Sequence, residues 1–379
     1  MKNINILHIA SFNGNIGDNA SHMGFESILN DVIGNFNKKN IEIRKAYNNY
    51  TEKDKLVFDF EFADYVNSFD YLVFGGGGFL DYWVEGSVNG TTLNIPYEVL
   101  NKINIPILIT SIGSNPHRKI PNGNIEKFKT FLNYVKNNKN ITIALRNDGS
   151  VLSWKKDLGK EYVVGVHQIL DHAFFYEPKT QPVKMTDESY ACLNITEDQI
   201  EMYNENGYVK NAEQYYNKIA DLVKFIIDEK KLKIMLVPHI YSDLNAIVKL
   251  FECLPDRYKR ASIQVAPMLQ GDLGCDFIFN IYKNASFVIG SRYHTNVCSL
   301  KFGKPSIGLS PLNRIKYLYD FFSIPFNFEF VNSDFHITLR NKINNLDNQP
   351  NMLQKLGEEQ TKTIDFYRNY FSVQKTPEK

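Results

Sequence analysis

Residues 290–310, GSRYHTNVCSLKFGKPSIGLS, set Arg292 and His294 two positions apart, directly after an apolar run. A guanidinium offers a planar fork of donors that suits a carboxylate or phosphate, and an imidazolium can deliver a proton. In an extended turn the two side chains point to one side. If a helix opens at 294, the imidazole lies over its positive end, where an anion is stabilised. The pattern predicts a clamp for a small anion, with Ser291 beside Arg292, at the carboxyl end of a parallel sheet. The alternative is a buried Arg–carboxylate pair with a capping histidine.

Other loops carry the same kind of signal. FNGNIGDNASHMGF, residues 12–25, combines Gly14 and Gly17 with capping residues ahead of a helix, a cradle for oxygens that is not GxGxxG. Asn15 and Gly17 shape that loop. Asp18 would repel a phosphate there, so it suits a sugar hydroxyl or a general-base role, or it is simply a cap. FGGGGFLDYW, residues 74–83, places four glycines after a strand, costly unless backbone must approach a ligand or another loop. Gly76 and Gly77 expose backbone N–H groups, and Asp81, Tyr82 and Trp83 would line a wall suited to a sugar face. TSIGSNP, with Ser114, and ALRND, with Arg146, each end a strand. Arg146 is one of nine arginines in a lysine-preferring chain. It reads as an anion contact or as a partner of Asp148. His239 in VPHIYSD is a further anion contact or a structural residue, and PMLQGD, residues 267–272, forms a neighbouring wall. His167, Asp171 and His172 lack a strong third partner nearby, so no metal is expected.

The elements that position these loops alternate. Apolar strands are expected at Ile4–Ala10, Tyr71–Phe74, Ile107–Ser111, Ile141–Leu145 and weakly near Tyr162–Val164. Helical patterns cover 20–36, 58–67, 92–104, 124–137 and 149–158. After a Pro-containing linker at 177–187, strands near 191, at 233–237, 262–265, 285–289 and 305–309 alternate with helices at 209–228, 243–253, 275–283 and 294–302. Strand, loop and helix in turn predict parallel sheets covered on both faces, with ligands at the carboxyl edges. The expected domains are 1–180, 181–345 and a tail, 346–379, whose helix at 351–372 returns to the first domain. The last residues, QKTPEK, are expected to be disordered.

Composition narrows the function. At 379 residues, two domains are the natural expectation. A net charge of +1 gives no global field for nucleic acid or an anionic membrane, so anion recognition must be local. The N-terminus reads as a strand, no run is long enough to span a bilayer, and four scattered cysteines suit a reduced, cytoplasmic protein.

Together, NIGDNA, FGGGGFLDYW, SIGSNP, ALRNDGS, VPH and GSRYHTNVCSLKFGKPSIG resemble the polysaccharide pyruvyl transferase family over about residues 14–310. The resemblance implies two Rossmann-like domains in a GT-B-like arrangement with an interdomain cleft. It implies transfer of the pyruvyl unit of phosphoenolpyruvate to a sugar, commonly as a cyclic ketal, with no cofactor beyond phosphoenolpyruvate as co-substrate. Arg292 matches the arginine assigned to phosphoenolpyruvate, His294 the general acid and Arg146 a further basic contact. Asp18 and residues 75–78 match the acceptor side. One departure is DHAF, where His172 stands in place of the family's frequent proline. The acceptor would be a sugar, lipid- or nucleotide-linked, which brings the reaction near the inner face of a membrane. A nucleotide-sugar glycosyltransferase is the nearest alternative, and a non-enzymatic sugar-binding protein a third.

Overall fold

A computed structural model describes residues 3–179, 185–200, 212–346 and 352–373. The middle of the expected linker, the start of the helix expected at 209, residue 351 of the tail helix, and QKTPEK lie outside these residues. The chain divides into two compact units. The first holds the described parts of Met1–Phe12, Ser21–Phe175 and Glu358–Lys379, and the second those of Asn13–Ala20 and Tyr176–Gly357.

The first unit is built on six parallel strands: β1 (Ile4–Ala10), β2 (Phe36–Glu42), β3 (Tyr71–Gly75), β4 (Ile107–Ile112), β5 (Ile141–Arg146) and β6 (His167–Ile169). Their spatial order is β2-β1-β3-β4-β5-β6. The four central strands are almost wholly buried, which is why they read as continuous apolar runs. β2, with sequence FNKKNIE, is an edge strand that is nowhere fully buried and escapes a hydrophobicity reading. The strand expected near Tyr162–Val164 is displaced. Lys160–Tyr162 form a 3-10 turn, and the edge strand begins at His167.

The second unit repeats the plan with β7 (Tyr190–Asn194), β8 (Lys233–Leu236), β9 (Ile263–Val265), β10 (Val288–Gly290), β11 (Ser306–Ser310) and β12 (Phe328–Phe330). The order is β12-β11-β10-β7-β8-β9, again all parallel. Each sheet is therefore a Rossmann-like doubly wound sheet. Each has one point where the winding direction reverses: between β1 and β3 in the first unit, and between β7 and β10 in the second. Helices leave adjacent strands in opposite directions there, opening a crevice at the carboxyl ends.

The helix Leu353–Val373 completes the first unit with its C-terminal part. Tyr367, Tyr370 and Phe371 join Ile6, Phe25, Tyr71 and Ile169 in one apolar cluster. The Tyr367 hydroxyl meets both Thr110 and His172 Nε2, and Thr363 Oγ1 accepts the Leu170 N–H. His172 is fully enclosed, and burial pushes its pKa down to about 3, with Asp171 opposing the shift. His8 on β1 is lowered as well, by burial and then by Lys38. Both histidines fold in the neutral form, whereas an unfolded chain protonates them near pH 6.5. Stability is therefore complete above about pH 6.5 and falls as the pH drops below it, by up to about 1.4 kcal/mol per pH unit for each such histidine. Urea midpoints should stay level from pH 7.5 to about 6.5 and then fall towards pH 5, and His172→Asn should flatten that fall.

Candidate functional site

The second unit's reversal point carries the Arg292–His294 turn. Ser291 and Arg292 follow β10, and the helix Tyr293–Lys301 starts at once. Two asparagines hold this turn. Asn194, the last residue of β7, accepts the Arg292 N–H at 2.8 Å through its side chain and the Ser291 N–H at 3.1 Å through its carbonyl. Its amide also donates to Val237 O, tying in the loop after β8. Asn296 donates to the carbonyls of Gly290 and Arg292 from inside the helix and accepts the Tyr319 hydroxyl. Sequence reading names neither asparagine. Asn296 ends the recognised motif SRYHTN, and Asn194 lies in the strand expected near 191.

Arg292 is preset by two carboxylates. Its Nη2 lies 2.6 Å from Asp243 Oδ1 and 2.6 Å from Asp198 Oδ1, and Nη1 lies 3.1 Å from Asp198 Oδ2. Burial disfavours its charge, but Asp243 and then Asp198 outweigh that, so the guanidinium pKa is raised. The two carboxylates differ in kind. Asp243 is fully enclosed and also receives the His239 N–H at the start of the helix Tyr241–Glu252. Asp198 has 37% of its side chain exposed. The turn therefore holds a buried Arg–carboxylate cluster, the alternative that the sequence left open beside an anion clamp.

His294 lies in the first turn of its helix, 6% exposed. Its ring packs on Gly17, where an added Cβ would stand 2.5 Å from Nδ1 and 2.6 Å from the histidine Cβ. The sequence places residues 15–18 with the first domain's acceptor side. Their contacts instead group residues 13–20 with the second unit. Asn15 Oδ1 accepts the Gly17 N–H, and Asn19 donates to Asp272. Asn15, Gly17 and the half-buried Asp18 thus stand with His294, Arg292 and Ser291 in one unit.

Several expected contacts are structural. His239 is fully buried, its Nε2 meeting the Tyr282 hydroxyl at 2.8 Å and Thr295 at 3.2 Å. Burial, then Arg292 and His294, hold its pKa well below normal, so it is neutral and offers no cation to an anion. Arg146 in the first unit is an internal brace. Its Nε donates to Asp148 at 2.7 Å and Nη1 to Asp171 at 3.3 Å, with 3% of the side chain exposed. Tyr82 lines no wall. It is stacked on Phe128, its hydroxyl donates to Asp157 at 2.6 Å, and it is fully buried. Ser114 is also buried, donating to Leu80 O and accepting Trp154 Nε1.

The tetraglycine loop joins the ends of β3 and β4. Gly76 has φ +68°, a left-handed conformation, and a Cβ there would meet Ser21 Oγ at 3.0 Å. Gly77 O accepts the Gly113 N–H at 2.7 Å, so part of this close approach serves a neighbouring loop. Asp81 is buried and accepts the Asn115 N–H at 2.7 Å. Of the expected wall, Trp83 alone remains partly exposed.

Among the described residues no group of three or more His, Cys, Asp or Glu is placed to hold a metal ion, and all four cysteines are free. No described helix is long and apolar enough to cross a membrane.

A sequence profile of the polysaccharide pyruvyl transferase family matches residues 15–313, most of the chain. The chain belongs to that family. No curated protein matches it in sequence. Among solved structures, a glycosyltransferase from Rickettsia africae ESF-5 is similar over 99% of this chain and 98% of its own, at 11% identity and a TM-score of 0.56. UDP-GlcNAc 2-epimerase from Methanocaldococcus jannaschii is similar over 92% and 95%, at 11% identity and a TM-score of 0.55. At this identity the likeness is one of fold: two Rossmann-like units of the class seen in GT-B glycosyltransferases and epimerases. In this pyruvyl transferase family member, NIGD and SRYH, far apart in sequence, fall in one unit.

Gly17→Ala should cost about 1–3 kcal/mol, because the clash includes the His294 Cβ and no rotamer change removes it. Urea unfolding of the purified variant measures this, and an unchanged midpoint would show that the ring does not pack there.

Proposed function

We propose that the chain transfers the pyruvyl group of phosphoenolpyruvate to a sugar of a cell-surface polysaccharide or its precursor, closing a cyclic ketal. The observation that carries this reading is the Arg292–His294 turn, a preset guanidinium and an imidazole on one helix start at the second sheet's reversal point. Family membership supports the pyruvyl transfer, and the donor and product follow from the chemistry below.

Phosphoenolpyruvate carries a carboxylate and a phosphate. Arg292 takes one of them by exchanging the exposed Asp198 for the donor's oxygens, while buried Asp243 keeps the fork oriented. His294 protonates the methylene carbon, which becomes a methyl group and leaves C2 electrophilic. A sugar hydroxyl oxygen bonds to C2 and gives up its proton to a base, with Asp18 the candidate. The C2–O bond to phosphate then breaks, inorganic phosphate departs, and a second hydroxyl of the same sugar attacks C2, its proton passing to the departing phosphate. The products are the ketal and phosphate, with no redox change. We place this reaction in the cytoplasm, at the inner face of the membrane where the acceptor is lipid-linked.

A nucleotide-sugar reaction would call on a carboxylate for ribose. Asp276 is buried and receives the Tyr176 hydroxyl and the Lys179 N–H, and Asp272 receives Asn19. Both are committed to the protein, which favours the pyruvyl reading.

Purified protein incubated with phosphoenolpyruvate and lipid- or nucleotide-linked glycans should release phosphate and add one pyruvate unit to the product mass. Addition of a sugar with release of a nucleotide would overturn the reading. His294→Gln should lower kcat by about 100-fold or more with the fold intact, and a near-normal rate would remove its assigned role. Asp198→Asn should lower the KM for phosphoenolpyruvate, because the internal competitor for Arg292 loses its charge, whereas Asp243→Asn should raise it. Steady-state kinetics on the two variants separate these expectations.

A further inference from the structure

Trp83, Arg118 and Lys119 belong to the first unit, on the loops that follow β3 and β4. The Arg118 guanidinium lies over the Trp83 indole, 4.7 Å from Cζ to the ring centroid. Stacking of this kind restrains a long side chain while its in-plane N–H donors stay open to a ligand.

The loop beneath it is fixed. Asp81 accepts the Asn115 N–H, and the Asn115 amide donates to Asp148 O at 3.0 Å. His117 Nδ1 stands 3.6 Å from Asp81 Oδ2, and its ring meets Trp83 edge-on. Asp81, two residues before Trp83, is turned toward Asn115 and His117.

The other three arginines of the first unit are paired: Arg44 with Glu42, Arg146 with Asp148 and Asp171, and Arg368 with Asp31. Arg118 and Lys119 make no ion pair and no hydrogen bond among the described residues, and both are exposed. Trp83 Nε1, a donor, is buried with no partner. An exposed arginine held on an aromatic face, with a second unpaired cation beside it, lacks only an acceptor of hydrogen bonds with negative charge.

We infer that Trp83, Arg118 and Lys119 form an anion subsite that takes the phosphate or diphosphate ester of the sugar acceptor. This rests on the proposed function only in taking the first unit as the acceptor side. A nucleotide and a lipid carrier share the diphosphate chemistry, and both can occupy this subsite.

The full-length chain has two tryptophans, and Trp154 is completely buried, so quenching of intrinsic fluorescence reports chiefly on Trp83. Titration with inorganic pyrophosphate should give saturable, salt-sensitive quenching. Arg118→Gln should raise the dissociation constant about tenfold or more, and Lys119→Gln should raise it less. Lys136→Gln removes a charge at the opposite edge of the sheet and should leave it unchanged, as should Arg292→Lys in the other unit. Repeating the titration with a nucleoside diphosphate and with farnesyl diphosphate identifies the carrier as the tighter ligand. Absence of saturable quenching, equal affinity in Arg118→Gln, or a loss seen only in Arg292→Lys would overturn the inference. Phosphate release from phosphoenolpyruvate is scored separately. Release without the Arg118 effect leaves the pyruvyl reading standing and removes the subsite, and the reverse result does the opposite.

Discussion

The second unit's turn depends on one buried ion pair, Arg292 with Asp243. Asp243 starts a helix by capturing the His239 N–H and, with the same carboxylate, fixes the fork of Arg292. A buried carboxylate left without its cation costs about 3–5 kcal/mol. The pair is therefore a constraint on the fold as much as a feature of the site. It also explains why a strong cation can wait in a poorly hydrated place with its geometry already set. Asn194 extends the constraint by binding the backbone under Arg292 and the loop after β8 at once.

The two units, each a six-stranded parallel sheet but with different strand orders, differ in electrostatics. At the second unit's reversal point, a charged cluster meets a helix start. At the first unit's reversal point, buried His8 is held neutral and lies against Gly75, with Ser21 against Gly76. Arg118 and Lys119, which make no ion pair among the described residues, lie on the loop that follows β4. The first unit also buries charge, in the cluster of Arg146 with Asp148 and Asp171. The units carry different polar groups on two parallel sheets whose strand orders differ.

Much of the architecture was legible because central strands of parallel sheets are buried on both sides and read as apolar runs. ITIAL at 141–145 and KIML at 233–236 fall within a residue of where they were expected. β2 and β12 were not legible, because an edge strand needs burial on fewer sides and FNKKNIE carries no periodic signal. At the site, the importance of Gly17 was readable, but its reason, the ring of a histidine 277 positions away in sequence, was not. Tyr82 shows the opposite failure. A tyrosine next to a glycine-rich loop invites a binding role, yet a stacked Phe128 and a waiting Asp157 make it part of the core. Arg146 and His239 were ambiguous for the same reason: burial and partners decide between a site and a brace, and sequence spacing reports neither.

The long C-terminal helix sets an order of events during synthesis. Tyr367 closes hydrogen bonds to Thr110 and His172, and its neighbours cover Tyr71 and Ile169, all made far earlier on the ribosome. The second unit must emerge before that cover exists. The nascent first sheet therefore leaves the ribosome with an apolar strip bare and a buried histidine's partner missing, a state prone to sticking to other chains. The window between the two units' completion is therefore when this strip is most exposed to aggregation.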